Sequence, residues 1–168
     1  MKKLFALVLA ACLMLSAVAF ATGSKTSDDL TDVVDVETEV ETEDTIDVEL
    51  AMSEEAEAVL GKIAEQGVEE TFGEALEDAN DWTLTELVEI EIEGYEEEDG
   101  SLTVTLAFPT VSASVETIAM LGIQGEEEIA WTRLPSSVTE DGRITVTFTP
   151  EQAKQIADGT AFIAILTK

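Results

Sequence analysis

The chain has 168 residues and a net charge of −29, with 37 Asp and Glu against eight Lys and Arg, no histidine and one cysteine, Cys12. Such an acidic surface repels nucleic-acid phosphates and anionic lipid headgroups, so neither is an expected partner. Without histidine there is no Ser-His-Asp or Cys-His catalysis and no imidazole zinc site, which leaves carboxylate chemistry, hydroxyl or lysine nucleophiles and oxygen-ligand cations.

Residues 1–21 predict a secretory signal peptide. Two lysines precede an apolar run, residues 4–20, and an A-x-A cleavage pattern follows at residues 19–21. We therefore expect cleavage after Ala21 and an exported chain that begins at Thr22. That chain keeps six Lys and Arg against 37 acids, a net charge of 6 − 37 = −31. Because it contains no cysteine, its fold must be held by its core without disulfides.

Two other interpretations of the leader stay open. Its apolar run approaches the ~20 residues with which a helix spans a bilayer, so an uncleaved anchor is one alternative. The segment LAAC, which ends at Cys12, resembles the lipobox of bacterial lipoproteins, although an apolar run follows this cysteine where a polar spacer is usual. All three interpretations predict export, and no membrane insertion is expected once the leader is cleaved.

Residues 22–48 predict an acidic, disordered spacer. Eleven acids fall between Asp28 and Glu49, and Val alternates with acids from Val34 to Glu41 with a period of two. That period would suit a strand, but like charges crowd one side and Val shares the other with Thr, so little burial would be gained. High net charge with few large apolar groups favours disorder. An edge strand and a cation-binding device remain as alternatives.

Helices are predicted within about residues 53–77. Ser53 is a good N-cap, and the acids after it favour the positive end of the helix dipole. Apolar residues recur at helical spacing over residues 56–64, and Gly67 stands where a left-handed residue ends a helix. A shorter helical turn is expected up to Leu76. Together these segments predict a small helical cap that lies on an apolar surface.

Period-two alternation predicts about six strands over residues 85–168. In ELVEIEIEGY the apolar residues from Val88 to Ile92 share one face, and SLTVTLAF and EDGRITVTF repeat the pattern. Asp99 and Gly100 between the first two runs predict a hairpin that joins them. The runs ETIAMLGI and TAFIAILT are apolar throughout, as in strands buried on both faces. PEQAKQIAD follows a capping box and predicts a short helix.

The order of these elements predicts the fold class. A short helical segment followed by closely spaced strands is typical of an α+β protein with an antiparallel sandwich or barrel. We expect a single folded domain over residues 49–168. A chain of that length is long enough to bury roughly two-thirds of its unfolded surface.

A resemblance sharpens this prediction. SLTVTLAFP and IAMLGIQGEEEIAWTRLPSSVTEDGRITVTFTPEQAKQIADGTAFIAIL are similar to closing domains of exported proteins from Gram-positive gut anaerobes, with a strand ending in Pro109 and a tryptophan strand through Trp131. The helix SEEAEAVLGKIAEQG also resembles small uncharacterised secreted proteins of that kind. The resemblance covers most of residues 50–168. It implies an immunoglobulin-like β-sandwich and an extracellular setting, and it implies no activity.

Two acidic loops and three aromatic residues are the candidates for binding. Calcium takes about six to eight oxygen ligands, but neither Glu96–Asp99 nor Glu126–Glu128 has the spacing of a calcium loop. We expect solvated turns with at most weak divalent cation binding. Trp131 is expected in the core, and Trp82 and Tyr95 are expected to cap its edge. An exposed anchor for a protein or glycan partner is the alternative for the last two.

The sequence assigns no catalytic, cofactor-binding or metal-ligating residue, and it predicts no cofactor. The leading hypothesis is a secreted or cell-surface, non-enzymatic module with an unknown protein or glycan partner. An extracellular calcium-binding protein is the first alternative. A small carboxylate-dependent hydrolase is the second, and it would need a deep pocket that holds a carboxylate with a raised pKa.

Overall fold

The computed structural model describes residues 39–40 and 46–168, which form helices and antiparallel sheets. The predicted signal peptide, residues 1–21, and most of the predicted spacer, residues 22–48, lie outside the described residues. The elements are β1 Glu39–Val40, β2 Asp47–Ala51, α1 Glu54–Gln66, α2 Val68–Phe72, β3 Thr83–Glu93, β4 Leu102–Leu106, β5 Thr117–Gln124, β6 Ile129–Arg133, β7 Ser136–Val138, β8 Ile144–Phe148, α3 Pro150–Asp158 and β9 Ala161–Thr167.

The strands form two sheets, and every pairing within them is antiparallel. One sheet has the order β1-β4-β8-β7, and the other has the order β2-β3-β9-β5-β6. The predicted α+β class and the antiparallel, sandwich-like arrangement are confirmed. No helix among the described residues is long and apolar enough to span a bilayer.

The predicted hairpin between β3 and β4 is wrong, because the two strands lie in different sheets. β3 pairs with β2 and β9, whereas β4 pairs with β1 and β8. Val88 and Ile90 of β3 share one core with Leu102 and Val104 of β4. Facing each other across the core buries both apolar faces, which a hairpin within one sheet would leave pointing the same way. Alternation therefore identified the buried face but not the partner strand.

The predicted end of the spacer at residue 48 is also wrong. Asp47 and Val48 belong to β2, which pairs with β3 from Asp47 opposite Glu93 to Ala51 opposite Glu89. Val48 is 4% exposed and packs in the core, so the period-two pattern is a strand at this point. From Thr83 onward the structure has seven strands, β3 to β9, where about six were predicted, and β1 and β2 precede them among the described residues.

Two hydrophobic cores lie on the two sides of the five-stranded sheet. The first fills the space between the sheets and includes Val104 and Phe148. The second lies between the five-stranded sheet and the helices α1 and α2, and includes Phe72 and Phe162. Strand β9 serves both cores, since six of its seven residues are buried. This confirms the prediction that TAFIAILT is a strand buried on both faces.

The helices begin and end where local chemistry favours it. The Ser53 hydroxyl accepts a hydrogen bond from the Ala56 amide at 3.0 Å, and Gly67 ends α1 at a φ of 95°, which favours glycine. The third helix, α3, starts with a capping box between Thr149 and Gln152. It buries Ile156 in the core between the sheets, so α3 closes one end of the sandwich as it connects β8 to β9.

Gly122 of β5 leaves room for the Trp131 ring of the neighbouring strand β6. It pairs with Trp131 of β6, and a Cβ atom at Gly122 would lie 2.7 Å from the Trp131 ring and 2.8 Å from Ile129. We expect Gly122→Ala to lower the free energy of unfolding by about 1–3 kcal/mol, since the ring must shift. Denaturant unfolding followed by circular dichroism measures this loss.

Gly61 of α1 supplies a matched control for that substitution. A Cβ atom there would meet nothing within 4 Å, and alanine favours a helix over glycine by about 0.5–1 kcal/mol. Gly61→Ala is therefore expected to raise stability while Gly122→Ala lowers it. Equal effects of the two substitutions would contradict the packing of Trp131 on Gly122.

Candidate functional site

Paired threonines line the outer side of β4 and β8 in the four-stranded sheet. We call this array the threonine face, and its members are Thr103 and Thr105 of β4 and Thr145 and Thr147 of β8. Thr103 is opposite Thr147 and Thr105 is opposite Thr145, with Oγ–Oγ distances of 3.2 and 3.1 Å. The sequences LTVTL and ITVTF produce this array, because the residues between the threonines point into the core.

The threonine face can exchange further hydrogen bonds. Each hydroxyl carries one donor and two acceptor lone pairs, so a pair joined by one hydrogen bond keeps one donor and three acceptor positions. All four threonines are half-buried, and the exposed Ser137 of β7 lies beside Thr145. Strands β4, β7 and β8 contain no charged residue. These three strands are therefore free of charged residues on a very acidic protein, and Glu39 of β1 lies opposite Thr105 at their border.

The five-stranded sheet carries the opposite kind of surface at its β2 edge. Its members, which we call the acidic face, are Asp47, Glu49, Glu89, Glu91 and Glu93. They point away from the core between the sheets, and Asp47 is directly opposite Glu93, as Glu49 is opposite Glu91. Like charges directly opposite one another on a sheet destabilise it. A cation or a basic partner would relieve that repulsion.

The two acidic loops named in the sequence analysis form surface turns in the structure. In the Glu96–Asp99 loop, the Glu96 amide donates to Asp99 Oδ2 at 2.7 Å as part of a capping box, and Lys154 Nζ lies 3.5 Å from Glu97 Oε2. The Glu126–Glu128 loop is exposed and joins β5 to β6. Across the described residues, no group of three or more acidic side chains is arranged to hold a metal ion.

Glu86 is a buried carboxylate that the sequence analysis missed. It lies on β3 next to a bulge, is 4% exposed, and accepts a hydrogen bond from the Thr110 hydroxyl at 2.8 Å. Burial raises the pKa of Glu86, and the hydrogen bond from Thr110 partly opposes that rise. The signal was present in the sequence, because Glu86 shares its alternation with the buried Val88 and Ile90.

The three aromatic candidates lie in or against the cores. Trp82 is 8% exposed, and Lys168 Nζ lies 5.5 Å from its ring centroid. The half-buried Tyr95 donates its hydroxyl to the Gly100 carbonyl at 2.7 Å, and its pKa is raised by desolvation and by nearby acidic side chains. Trp131 is half-buried. Its ring centroid lies 4.8 Å from that of Phe72, and the two ring planes meet at 65°. These contacts are those of packing residues rather than exposed anchors.

An open groove lies between β5 and α3. Its lining residues are Ile123, Gln124, Glu151, Lys154, Gln155, Asp158 and Gly159. Glu86 is not one of them, so the buried carboxylate with the raised pKa and this groove are separate features. The combination that a carboxylate hydrolase would need is therefore not formed at the groove.

Comparison of the chain with protein-family models, curated proteins and solved structures finds no match. Function is therefore inferred from the two surfaces described above. The threonine face offers hydroxyl donors and acceptors, and the acidic face concentrates negative charge.

Proposed function

We propose that the protein is an exported, non-enzymatic binding module with an immunoglobulin-like sandwich, and that its threonine face contacts a neutral polysaccharide. The observation that carries this proposal is the run of three adjacent strands without charge in the four-stranded sheet. Strands β2 and β3 carry six acids, whereas β4, β7 and β8 carry no charged residue.

The class of partner follows from electrostatics. An anionic partner such as nucleic acid or an anionic membrane is repelled by the net charge of −29, and a cationic partner is drawn to the acidic face. A neutral partner gains from neither effect and needs hydrogen-bond donors and acceptors, which the threonine face supplies. Sugar hydroxyl groups match that pattern of donors and acceptors.

Binding of the exported chain to insoluble cellulose and chitin tests this proposal. We expect retention on at least one of them, and we expect the double variant Thr105→Val, Thr145→Val to bind about tenfold more weakly. Two lost hydrogen bonds at about 0.5–1.5 kcal/mol each correspond to that factor. Valine keeps the branched shape that suits a strand, so the sheet should stay intact.

Thr132→Val is the matched control, because Thr132 is exposed on β6 of the other sheet. It should leave retention unchanged. Absence of binding to both polysaccharides, or equal binding by the double variant and the wild type, would contradict the proposed role of the threonine face.

Weak binding of divalent cations at the acidic face is the second candidate function. Two directly opposed carboxylate pairs, Asp47 with Glu93 and Glu49 with Glu91, favour it. We expect millimolar calcium to raise the unfolding temperature above the value in sodium chloride of equal ionic strength. A site filled to 100 times its Kd would add about 2.7 kcal/mol to the free energy of unfolding.

Glu91→Gln distinguishes a cation site from general screening. It breaks one opposed pair, so it should raise stability in chelator by about 0.2–1 kcal/mol and reduce the calcium-specific shift. Glu126→Gln in the exposed β5–β6 loop is the control and should keep that shift. Equal shifts in calcium and in matched sodium chloride would eliminate this second function.

A further inference from the structure

Strand β6 forms an open edge of the five-stranded sheet. Among the described residues it pairs with β5 alone, at the end of the order β2-β3-β9-β5-β6. Just beyond β6, the Leu134 amide donates to the Ala119 carbonyl at 2.9 Å. Because hydrogen-bonded pairs recur at every second residue of an antiparallel ladder, the even-numbered residues of β6 also direct their amides and carbonyls toward β5. Those of the odd-numbered residues, Ile129, Trp131 and Arg133, therefore point away from it.

The other described sheet edges are short or acidic. The opposite edge of the same sheet, β2, carries Asp47 and Glu49. In the four-stranded sheet the edge strands β1 and β7 have two and three described residues. Short edge strands and charged side chains both discourage pairing with another chain. The sequence of β6, IAWTR, contains no acid, so it is the edge at which another strand of this acidic protein meets the least repulsion.

The apolar side chains of β6 are covered on one side only. Ile129 and Trp131 share one face of the strand and pack at the margin of the core beneath the helices, where the Trp131 ring meets Phe72. Both side chains are half-buried. A strand added along β6 would cover the exposed part of each and extend this core past the present edge.

We propose that β6 pairs antiparallel with β6 of a second copy of this chain, with Trp131 opposite Trp131 on the two-fold axis. In this register Ile129 lies opposite Arg133 of the second copy, and Arg133 lies opposite its Ile129. Each such pair exchanges two hydrogen bonds, so three pairs form about six and use every amide and carbonyl that points away from β5. The same patch serves both copies, as in most two-fold dimers.

Charge complementarity favours a second copy as the occupant of this edge. Arg133 is exposed and makes no ion pair within the described part of the chain. The acidic turn Glu126–Glu128 directly precedes Ile129, so the proposed register places Arg133 of one copy diagonal to Glu127 of the other. Long side chains on diagonal neighbours are within reach of each other. The two-fold axis forms this contact twice, and it involves neither the threonine face nor its partner.

Sedimentation equilibrium of the exported chain from about 1 μM to about 1 mM tests this proposal. Sodium chloride at about 0.15 M limits the screening length to about 8 Å, which confines the repulsion between two acidic copies to nearby charges. We expect a dimer, and we expect Arg133→Glu to weaken it at least about tenfold, because two attractions become two repulsions. Adding Glu127→Arg to that variant should restore the dimer. Lys62→Glu, on the exposed side of α1, changes the net charge equally and should leave the dimer intact.

Amide hydrogen exchange locates the interface. The Trp131 and Arg133 amides should gain protection as protein concentration rises, whereas those of Ala130 and Thr132 face β5 and should be protected at every concentration. A monomer throughout the range, or a dimer in which the Trp131 amide stays unprotected, would overturn the proposal. Equal weakening by Arg133→Glu and Lys62→Glu would also overturn it, since general repulsion would then explain both.

Discussion

Phe72→Ala is expected to lower the free energy of unfolding by about 3–5 kcal/mol, the usual cost of removing a fully buried phenylalanine. Phe72 is 0% exposed and lies in the core between the helices and the five-stranded sheet. Its ring also meets Trp131 edge to face at 4.8 Å, a contact that adds about 0.5–1.5 kcal/mol to area burial. The side chain therefore joins α2 to the edge strand β6.

Denaturant unfolding followed by far-ultraviolet circular dichroism measures this loss without relying on Trp131 fluorescence. Met52→Ala is the control, because Met52 is 39% exposed and should change stability by less than about 0.5 kcal/mol. A loss below about 1 kcal/mol for Phe72→Ala would mean that the helices contribute little to the fold. It would then be the core between the two sheets alone that holds the domain together.

Glu86→Gln is expected to stabilise the protein at neutral pH. Burial raises the pKa of Glu86, so the folded state keeps its proton at a pH where the unfolded state has lost it. Stability from this group therefore falls as pH rises from the ordinary carboxyl pKa to the raised folded pKa, and the loss is complete above that window. Glutamine has no charge to lose and can still accept the hydrogen bond from Thr110.

Free energies of unfolding of Glu86→Gln and wild type, compared from about pH 4 to pH 8 at one ionic strength, check this prediction. The difference should grow as pH rises through the window and then stay constant, and the subtraction cancels the titration of the other acids. A difference that is independent of pH, or a destabilised glutamine variant at neutral pH, would contradict it. Thr110→Val should instead cost about 1–3 kcal/mol at neutral pH, since it leaves a buried acceptor unsatisfied.

The sequence predicted which side chains of a strand are buried better than it predicted which strands pair with each other. The alternation in β3 and β4 identified the buried residues because side-chain direction repeats every two residues. The partner of each strand did not follow, since the same alternation suits a hairpin and a crossing between sheets. The Asp99-Gly100 signal favoured the hairpin, whereas the loop is a short helical turn closed by the hydrogen bond from Glu96 to Asp99.

The candidate surfaces depend on contacts between distant parts of the chain. Thr103 and Thr147 are 44 residues apart, so their pairing follows from the register of β4 and β8 and not from local pattern. The acidic face likewise needs the pairing of β2 with β3. Glu86 differs, because an acid on the apolar face of an alternating strand is visible in sequence. Its hydrogen bond from Thr110, by contrast, needs the fold.

Salt dependence of polysaccharide binding tests the central claim most directly. Raising sodium chloride from about 0.05 to 0.5 M shortens the screening length severalfold, which weakens contacts between charges and leaves neutral hydrogen bonds nearly unchanged. Binding of the exported chain to cellulose or chitin through the threonine face should therefore change by less than about twofold. Binding that falls tenfold or more over this range, or no binding to either polysaccharide, would contradict a neutral contact surface.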